Sequence, residues 1–205
     1  MLGFYNYTVW LTYIGLLSSV TGIFLAFTGD TRWALFCLLF SGFCDMFDGK
    51  VARTKKDRTE DEKNYGIQLD SLSDIVCFGV LPAVILLSLE NIKIWKMVIA
   101  ALFVLCGLIR LAYFNVMEEA RQKETVENRK TYQGLPITAS AILVPLLMCF
   151  SKLLGDYISA AYAILLAIMA ICYIMPLKVK KPGLWGGIIL LCAGAAVFIM
   201  ILLIK

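Results

Sequence analysis

Four aspartates stand at the ends of two strongly apolar stretches. Asp45 and Asp48 lie in Asp-Met-Phe-Asp-Gly-Lys-Val-Ala-Arg, and Asp70 and Asp74 close Gly-Ile-Gln-Leu-Asp-Ser-Leu-Ser-Asp. On a helix of about 3.6 residues per turn, positions 45, 48, 49, 52 and 53 share one face, and so do 66, 70 and 74. An ionised side chain at mid-membrane depth costs about 2.5–3.5 kcal/mol on insertion scales, so acids in such segments face a bundle interior and mark a functional site. Two such faces meeting would offer up to eight carboxylate oxygens, hard ligands that suit Mg²⁺ or Mn²⁺ and can bridge two ions. Gly49, Ala52 and Gly66 remove side-chain bulk on the same faces, which lets a ligand or a partner helix come close to the backbone. Arg53, one turn beyond Gly49, can hold a phosphate oxygen. The chemistry these residues point to is phosphate handling, with metal cancelling charge on both sides.

The elements that must position them are membrane helices. The chain has 205 residues, 60% of them hydrophobic, with a mean hydropathy of +0.82, and its apolar residues fall in long blocks. Seven blocks are long enough to span: Tyr5 to Phe27, Trp33 to Ala52, Ile67 to Leu89, Ile94 to Val116, Pro136 to Leu154, Tyr157 to Pro176 and Leu184 to Ile204. The expected fold is an all-α polytopic transmembrane helix bundle, one integral membrane domain over residues 1–205. The second block is apolar without interruption only from Trp33 to Cys44, too short for a hydrocarbon core of about 30 Å. Its acidic turn must therefore continue the helix toward one membrane face. Residues 54–65 read as a solvated loop with at most a helical turn, and residues 118–134 as an extension of the fourth helix that turns at Gly134 before Pro136 opens the fifth. Pro82 and Pro145 lie inside spans, where a packed bundle tolerates a kink and a freed carbonyl.

Charge sets the orientation. Most of the 19 Lys and Arg fall after the second, fourth and sixth segments, which makes those loops and the N-terminus cytoplasmic, with the acids facing the cytoplasm from the cell membrane. The start Met-Leu-Gly-Phe-Tyr-Asn lacks a basic region and a small-residue cleavage site, so no cleaved signal peptide is expected. The seven cysteines all sit in apolar segments and read as buried thiols. The absence of histidine excludes a His base and a His metal site, leaving acid–base work to carboxylates, Lys, Tyr or metal-bound groups. Trp33, Trp95 and Trp185 read as interface anchors, and Thr8, Thr12, Ser18, Ser19 and Thr21 as hydrogen-bonding residues between helices.

The pattern Asp-x2-Asp-Gly-x2-Ala-Arg followed by Gly-x3-Asp-x3-Asp resembles the signature of the CDP-alcohol phosphotransferase family, membrane enzymes that join an alcohol to a CDP-activated lipid or headgroup. All eight positions are present, at Asp45, Asp48, Gly49, Ala52, Arg53, Gly66, Asp70 and Asp74. One departure is visible, because twelve residues separate Arg53 from Gly66 where many members have about eight. Within the family, Asp70 to Pro82, Arg110 to Asn115 and Gly134-Leu-Pro136 are similar to the phosphatidylserine synthase branch, and Ile75 stands where branches using phosphorylated acceptors place Lys or Arg. The resemblance implies a six-helix core over about residues 5–176, with the apolar segment 184–204 as an addition.

It further implies that Asp45, Asp48, Asp70 and Asp74 hold two divalent ions, Mg or Mn, with Asp74 as general base. Gly49, Ala52, Arg53 and Gly66 would cradle the CDP moiety of CDP-diacylglycerol. L-Serine would attack the lipid-side phosphorus, giving phosphatidylserine and CMP, and a homodimer is expected. Serine's carboxylate needs a cation; Arg110, the one basic residue expected inside a span, takes that role, with Asn115 as a second contact. A structural ion pair is the competing reading for Arg110. Lys123, Arg129 and Lys130 are candidates for headgroup contacts, though solvated loop charge competes with that reading. The alternatives are a sister enzyme using glycerol phosphate or inositol phosphate, and, from another class, a divalent-cation transporter.

Overall fold

A turn at Thr28 to Asp30, with Gly29 at a φ of +88°, reverses the chain between helix α1 (Trp10–Phe27) and helix α2 (Thr31–Ala52). The protein, seen in a computed structural model, is described over residues 3–124, 131–176, 178–180 and 184–203. Helices α1 and α2 pack closely because small residues line their seam. A Cβ on Gly22 would stand 2.8 Å from that of Cys37, and one on Gly15 3.3 Å from that of Cys44. Hydroxyls close the same seam: Ser19 donates to Ser41 Oγ at 2.8 Å, Ser41 donates to Gly15 O at 2.8 Å, and Ser18 donates to Cys37 O at 3.2 Å. Thr21, expected in this role, instead bonds the Leu17 carbonyl of its own helix.

Helix α3 (Glu60–Ser88) starts inside the stretch that reads as a solvated loop. A capping box explains the early start: Thr59 Oγ1 accepts from Glu62 N at 3.2 Å and Glu62 Oε2 accepts from Thr59 N at 3.1 Å, while Glu60, Asp61 and Glu62 complement the helix dipole. The helix widens into a π segment over Ile75–Val80, where Leu81 N bonds Val76 O. Pro82 accounts for the widening, since it has no N–H to return to Phe78 O. Ser140 Oγ donates to that carbonyl at 2.9 Å, and Tyr162 OH donates to Pro82 O at 3.0 Å, so the proline's disruption is absorbed by neighbouring helices.

Helix α4 (Ile94–Glu124) runs on into the charged stretch as the sequence suggests. Helix α5 (Ser140–Cys149) contains Pro145, and helix α6 (Ile158–Ile174) packs on α4 through Phe103 and Tyr173, whose ring centroids are 5.5 Å apart. Helix α7 (Leu184–Leu203) is held to α2 at both aromatic and polar contacts, Phe198 on Phe36 at 4.9 Å and Leu202 O accepting from Arg32. Strands β1 (Thr131–Gln133) and β2 (Lys178–Lys180) form an antiparallel ribbon with Tyr132 opposite Val179, an element absent from the sequence reading. Gly134 follows it at a φ of +78°, where a Cβ would come within 3.1 Å of the Tyr173 carbonyl at the end of α6.

Among the described residues, four helical stretches, Tyr7–Phe27, Glu60–Ser88, Ile94–Glu119 and Ser151–Ile174, are long and apolar enough to cross a membrane. The chain is an all-α polytopic integral membrane protein. Trp33 and Trp95 are exposed near helix ends, as interface anchors should be. Cys37, Cys149 and Cys172 are only half-buried, and Cys192 is exposed because helix α7 covers the bundle with only part of its surface. Arg110 is also not the only buried base: Lys96, in the first turn of α4, is fully enclosed, with Nζ donating to Leu89 O at 2.6 Å and standing 3.6 Å from Glu90. Lys96 lies at the start of the fourth apolar block, where charge reads as lying at the outer membrane face; the structure uses it to cap the end of α3. Arg129 and Lys130 lie outside the described residues, as does the side chain of Lys123.

Candidate active site

The last two turns of α2 and the middle of α3 run antiparallel, joined by the short segment 53–59, and this sets which acids meet. Asp45 faces Asp74, and Asp48 faces Asp70. One oxygen each from Asp45, Asp70 and Asp74 lies within 4.8 Å of the others. Asp48 stands beside this trio and accepts a hydrogen bond from Thr12 Oγ1 of α1 at 3.2 Å. The seam between α1 and α2 is what delivers Thr12: with Gly15 and Ser41 removing bulk one turn deeper, α1 lies near enough for its hydroxyl to reach the acid.

Lys50 and Lys55 could have neutralised the acids as ordinary juxtamembrane charge. Both turn elsewhere: Lys50 lies over the Phe47 ring at 4.9 Å, and Lys55 pairs with Glu62 at 2.8 Å. Close carboxylates repel. Two unit charges 4.8 Å apart cost about 3.5 kcal/mol at an effective dielectric constant of about 20, which favours a counter-cation at the site. A hard divalent ion bound at about 2.0–2.6 Å places opposing ligands about 4–5 Å apart, so the Asp45, Asp70 and Asp74 oxygens fit around one ion, with Asp48 at its side. The donor set is oxygen only, which suits Mg²⁺, Mn²⁺ or Ca²⁺ over softer metals.

The small cavity in front of the acids is lined also by Leu11, Thr12, Gly15, Ser41, Ser73 and Cys77. Ser73 is buried at 4% exposure, and its hydroxyl has no hydrogen-bond partner among the described residues. Neither Thr12 nor Ser73 follows from the acidic pattern. Ser73 shares the face of Gly66 and Asp70, a signal the helical period does carry, whereas Thr12 depends on the register of α1 against α2.

The glycines lie toward the mouth of the site. Arg53 is exposed, with Nη1 3.7 Å from where a Cβ on Gly49 would sit, and its charge reaches Asp48. Over Gly66 the structure places not open space but the guanidinium of Arg58. Ala52 closes α2 on the same face, and its carbonyl accepts from Arg58 Nη1. Arg110 of α4 is buried at 9% exposure, and its charge acts on both Asp74 and Tyr173. Asn115 does not join it: its amide is exchanged with Ser71, at 2.9 and 3.1 Å, tying α4 to α3 beside Asp70.

The profile of the CDP-alcohol phosphatidyltransferase family matches residues 5–175, which leaves α7 outside. A CDP-diacylglycerol–serine O-phosphatidyltransferase of Methanocaldococcus jannaschii is 32% identical over 160 residues, 78% of this chain and 69% of that protein. An archaetidylserine synthase of Methanothermobacter thermautotrophicus is 31% identical over 153 residues, 73% of this chain and 61% of that protein. A CDP-diacylglycerol–serine O-phosphatidyltransferase of Saccharomyces cerevisiae is 34% identical over 143 residues, 67% of this chain but only 50% of that protein. The matched region thus spans from half to about two thirds of these relatives.

Proposed function

The chain belongs to the CDP-alcohol phosphatidyltransferase family of membrane enzymes, and from that premise we propose that it transfers the phosphatidyl group of CDP-diacylglycerol to the hydroxyl of L-serine, giving phosphatidylserine and CMP. The observation that carries this reading is the meeting of Asp45 near the end of α2 with Asp70 and Asp74 in the middle of α3, within 4.8 Å. Asp74 is the general base. Of the two site acids on α3 it lies farther from the helix start, and the positive charge of Arg110 draws an anionic acceptor toward it. Serine's hydroxyl oxygen forms its bond to the lipid-side phosphorus as its proton passes to an Asp74 oxygen, and the bond from that phosphorus to the CMP oxygen breaks.

Asp45, Asp48, Asp70 and Asp74 hold two divalent ions, Mg or Mn, which supply Lewis acidity and cancel charge on the diphosphate when bound. Thr12 orients Asp48 through its hydrogen bond. Gly49, Ala52, Arg53 and Gly66 form the CDP cradle at the mouth. Arg110 receives the serine carboxylate, and Asn115 supports the site by fixing Ser71 rather than by reaching substrate. The basic loops at the acid end of the helices favour a cytoplasm-facing site in the cell membrane, and the enzyme is a homodimer.

A transporter would need polar groups along the whole span. The acids instead gather at the end of α2 and the middle of α3, and family membership is that of a transferase. The test supplies purified protein with CDP-diacylglycerol, or its archaeal ether counterpart, and with L-serine, glycerol 3-phosphate or inositol phosphate, and follows CMP release. Release with serine alone is expected; release with a phosphorylated acceptor instead overturns the serine assignment.

A further inference from the structure

The guanidinium of Arg58 is folded back from the linker onto α3. Its Nη1 donates to Ala52 O at 3.4 Å and its Nη2 to Glu62 O at 3.1 Å, while Nε is buried with no hydrogen-bond partner among the described residues. Among the described residues no carboxylate comes within 4.0 Å of it. Glu62, whose main-chain carbonyl it bonds, has its carboxylate already engaged by Lys55 at 2.8 Å, Asn6 at 3.1 Å and Thr59 N at 3.1 Å. A half-buried arginine fork is thereby left with two neutral main-chain acceptors and no counter-charge.

Its position is set by its neighbours. Arg58 precedes the Thr59 cap, so the capping box that starts α3 early also fixes where the arginine leaves the chain. Nη2 stands 2.7 Å from where a Cβ on Gly66 would be, and on α2 Arg53 Nη1 stands 3.7 Å from the corresponding point on Gly49. Two guanidinium groups therefore rest on the two glycines that flank the Asp48–Asp70 pair. The long interval between Arg53 and Gly66 supplies the second of them.

We propose that Arg58 is a further phosphate-binding residue of the site, which with Arg53 grips the diphosphate of a nucleotide-linked lipid. The inference rests on the reading of CDP-diacylglycerol as donor. It also gives Gly66 a different role from the one the motif suggests: the missing side chain makes room for the arginine, not for the ligand itself. Hydrogen bonds from guanidinium to phosphate are charge-assisted and about twice as strong as those to a neutral carbonyl. A planar fork suits two phosphate oxygens at once, so Arg58 exchanges its carbonyl partners for the diphosphate when the lipid binds.

The experiment measures KM and kcat for CDP-diacylglycerol in mixed micelles, and the affinity for soluble CDP, in wild-type protein and in Arg58→Gln, Arg58→Lys and Arg58→Ala. Gln keeps a side-chain amide able to bond the two carbonyls while removing the charge. The expected result is a rise in KM and a loss of CDP affinity of about tenfold for Gln and Ala, partial recovery in Lys, and kcat changed by less than about threefold. Gly66→Ala displaces the flexible guanidinium, so it should raise KM in the wild-type background and add little in Arg58→Ala. Unchanged KM and CDP affinity in Arg58→Gln, with only thermal stability altered, would overturn the proposal in favour of a structural clamp. An equal Gly66→Ala effect in both backgrounds would return Gly66 to direct ligand contact and overturn it as well. Wild-type protein that releases no CMP with any acceptor removes the donor reading itself, a failure distinct from these.

Discussion

Replacing Asp74 by Asn should reverse its effect on stability between metal-free and metal-loaded protein. The Asp74 oxygen lies within 4.8 Å of oxygens from both Asp45 and Asp70, and each such pair of charges costs up to about 3.5 kcal/mol at an effective dielectric constant of about 20. Neutralising one member without changing its shape relieves part of that repulsion, about 1–3 kcal/mol after local rearrangement. For a chain of 205 residues this corresponds to a rise of roughly 2–10 °C in Tm in chelator. With metal present the order inverts. An ion at about a hundred times its Kd stabilises wild-type protein by about 2.7 kcal/mol, and Asp74→Asn forfeits most of that by losing an anionic ligand. The assay is thermal unfolding in detergent, followed by intrinsic fluorescence, in EDTA and across a MnCl₂ series. Turnover by the variant should be abolished while CDP affinity persists. Stability curves that fail to cross, with the variant the weaker protein in EDTA and the wild type indifferent to Mn²⁺, would refute both the metal assignment and the electrostatic reasoning; an active variant would refute Asp74 as base.

Ser140→Ala removes the hydroxyl that bonds the Phe78 carbonyl beside Pro82, and should lower stability by about 1–3 kcal/mol in an unfolding series while leaving KM for serine unchanged. Gly42→Ala would bring a Cβ to 2.7 Å from that of Ala141, forcing α2 and α5 apart, and should cost about 1–3 kcal/mol by the same measurement. Ser73→Ala removes a buried hydroxyl that has no partner in the metal-free site; a gain of about 1 kcal/mol in EDTA is expected, seen as a higher Tm, and a loss of stability would show that the hydroxyl is satisfied.

The helical period was enough to put Asp45, Asp48, Asp70 and Asp74 on two faces, because that inference needs only a helix in each segment. Hydropathy was likewise enough to find helix in all seven apolar segments, though among the described residues only four helical stretches are long and apolar enough to span. What depends on one element's position against another was hidden. Thr12 reaches Asp48 only through the close approach of α1 to α2, and it was not distinguished in the sequence from Thr21, which bonds within its own helix. Lys96, at the start of the fourth apolar block, read as charge at the outer face because its burial depends on a bond to the Leu89 carbonyl at the end of α3. The capping box Thr59 to Glu62 was the missed local signal: it was present in the sequence and marks the start of α3 inside a stretch whose charge density suggested a loop. Arg110 and Asn115 stood close in sequence yet serve different places, the charge of Arg110 acting on Asp74 and Asn115 bonding Ser71, as their angular separation on one helix required.

The same capping box links local structure to the chemistry of the site. Had α3 begun only at Gly66, its first turn would have brought unsatisfied N–H groups to the mouth, where anions bind readily. By starting at Glu60 the helix spends those groups on Thr59 and its own acidic first turn, well before the acids at Asp70 and Asp74. Gly66 then lies within the helix, its N–H turned to the helix's own bonding and no longer free for phosphate. A cation must take over the work that a helix terminus would have done. Arg58, fixed by the cap that moved the terminus away, stands over that glycine with a fork of donors, so the change that removes one anion-binding device from the mouth installs another at the same place.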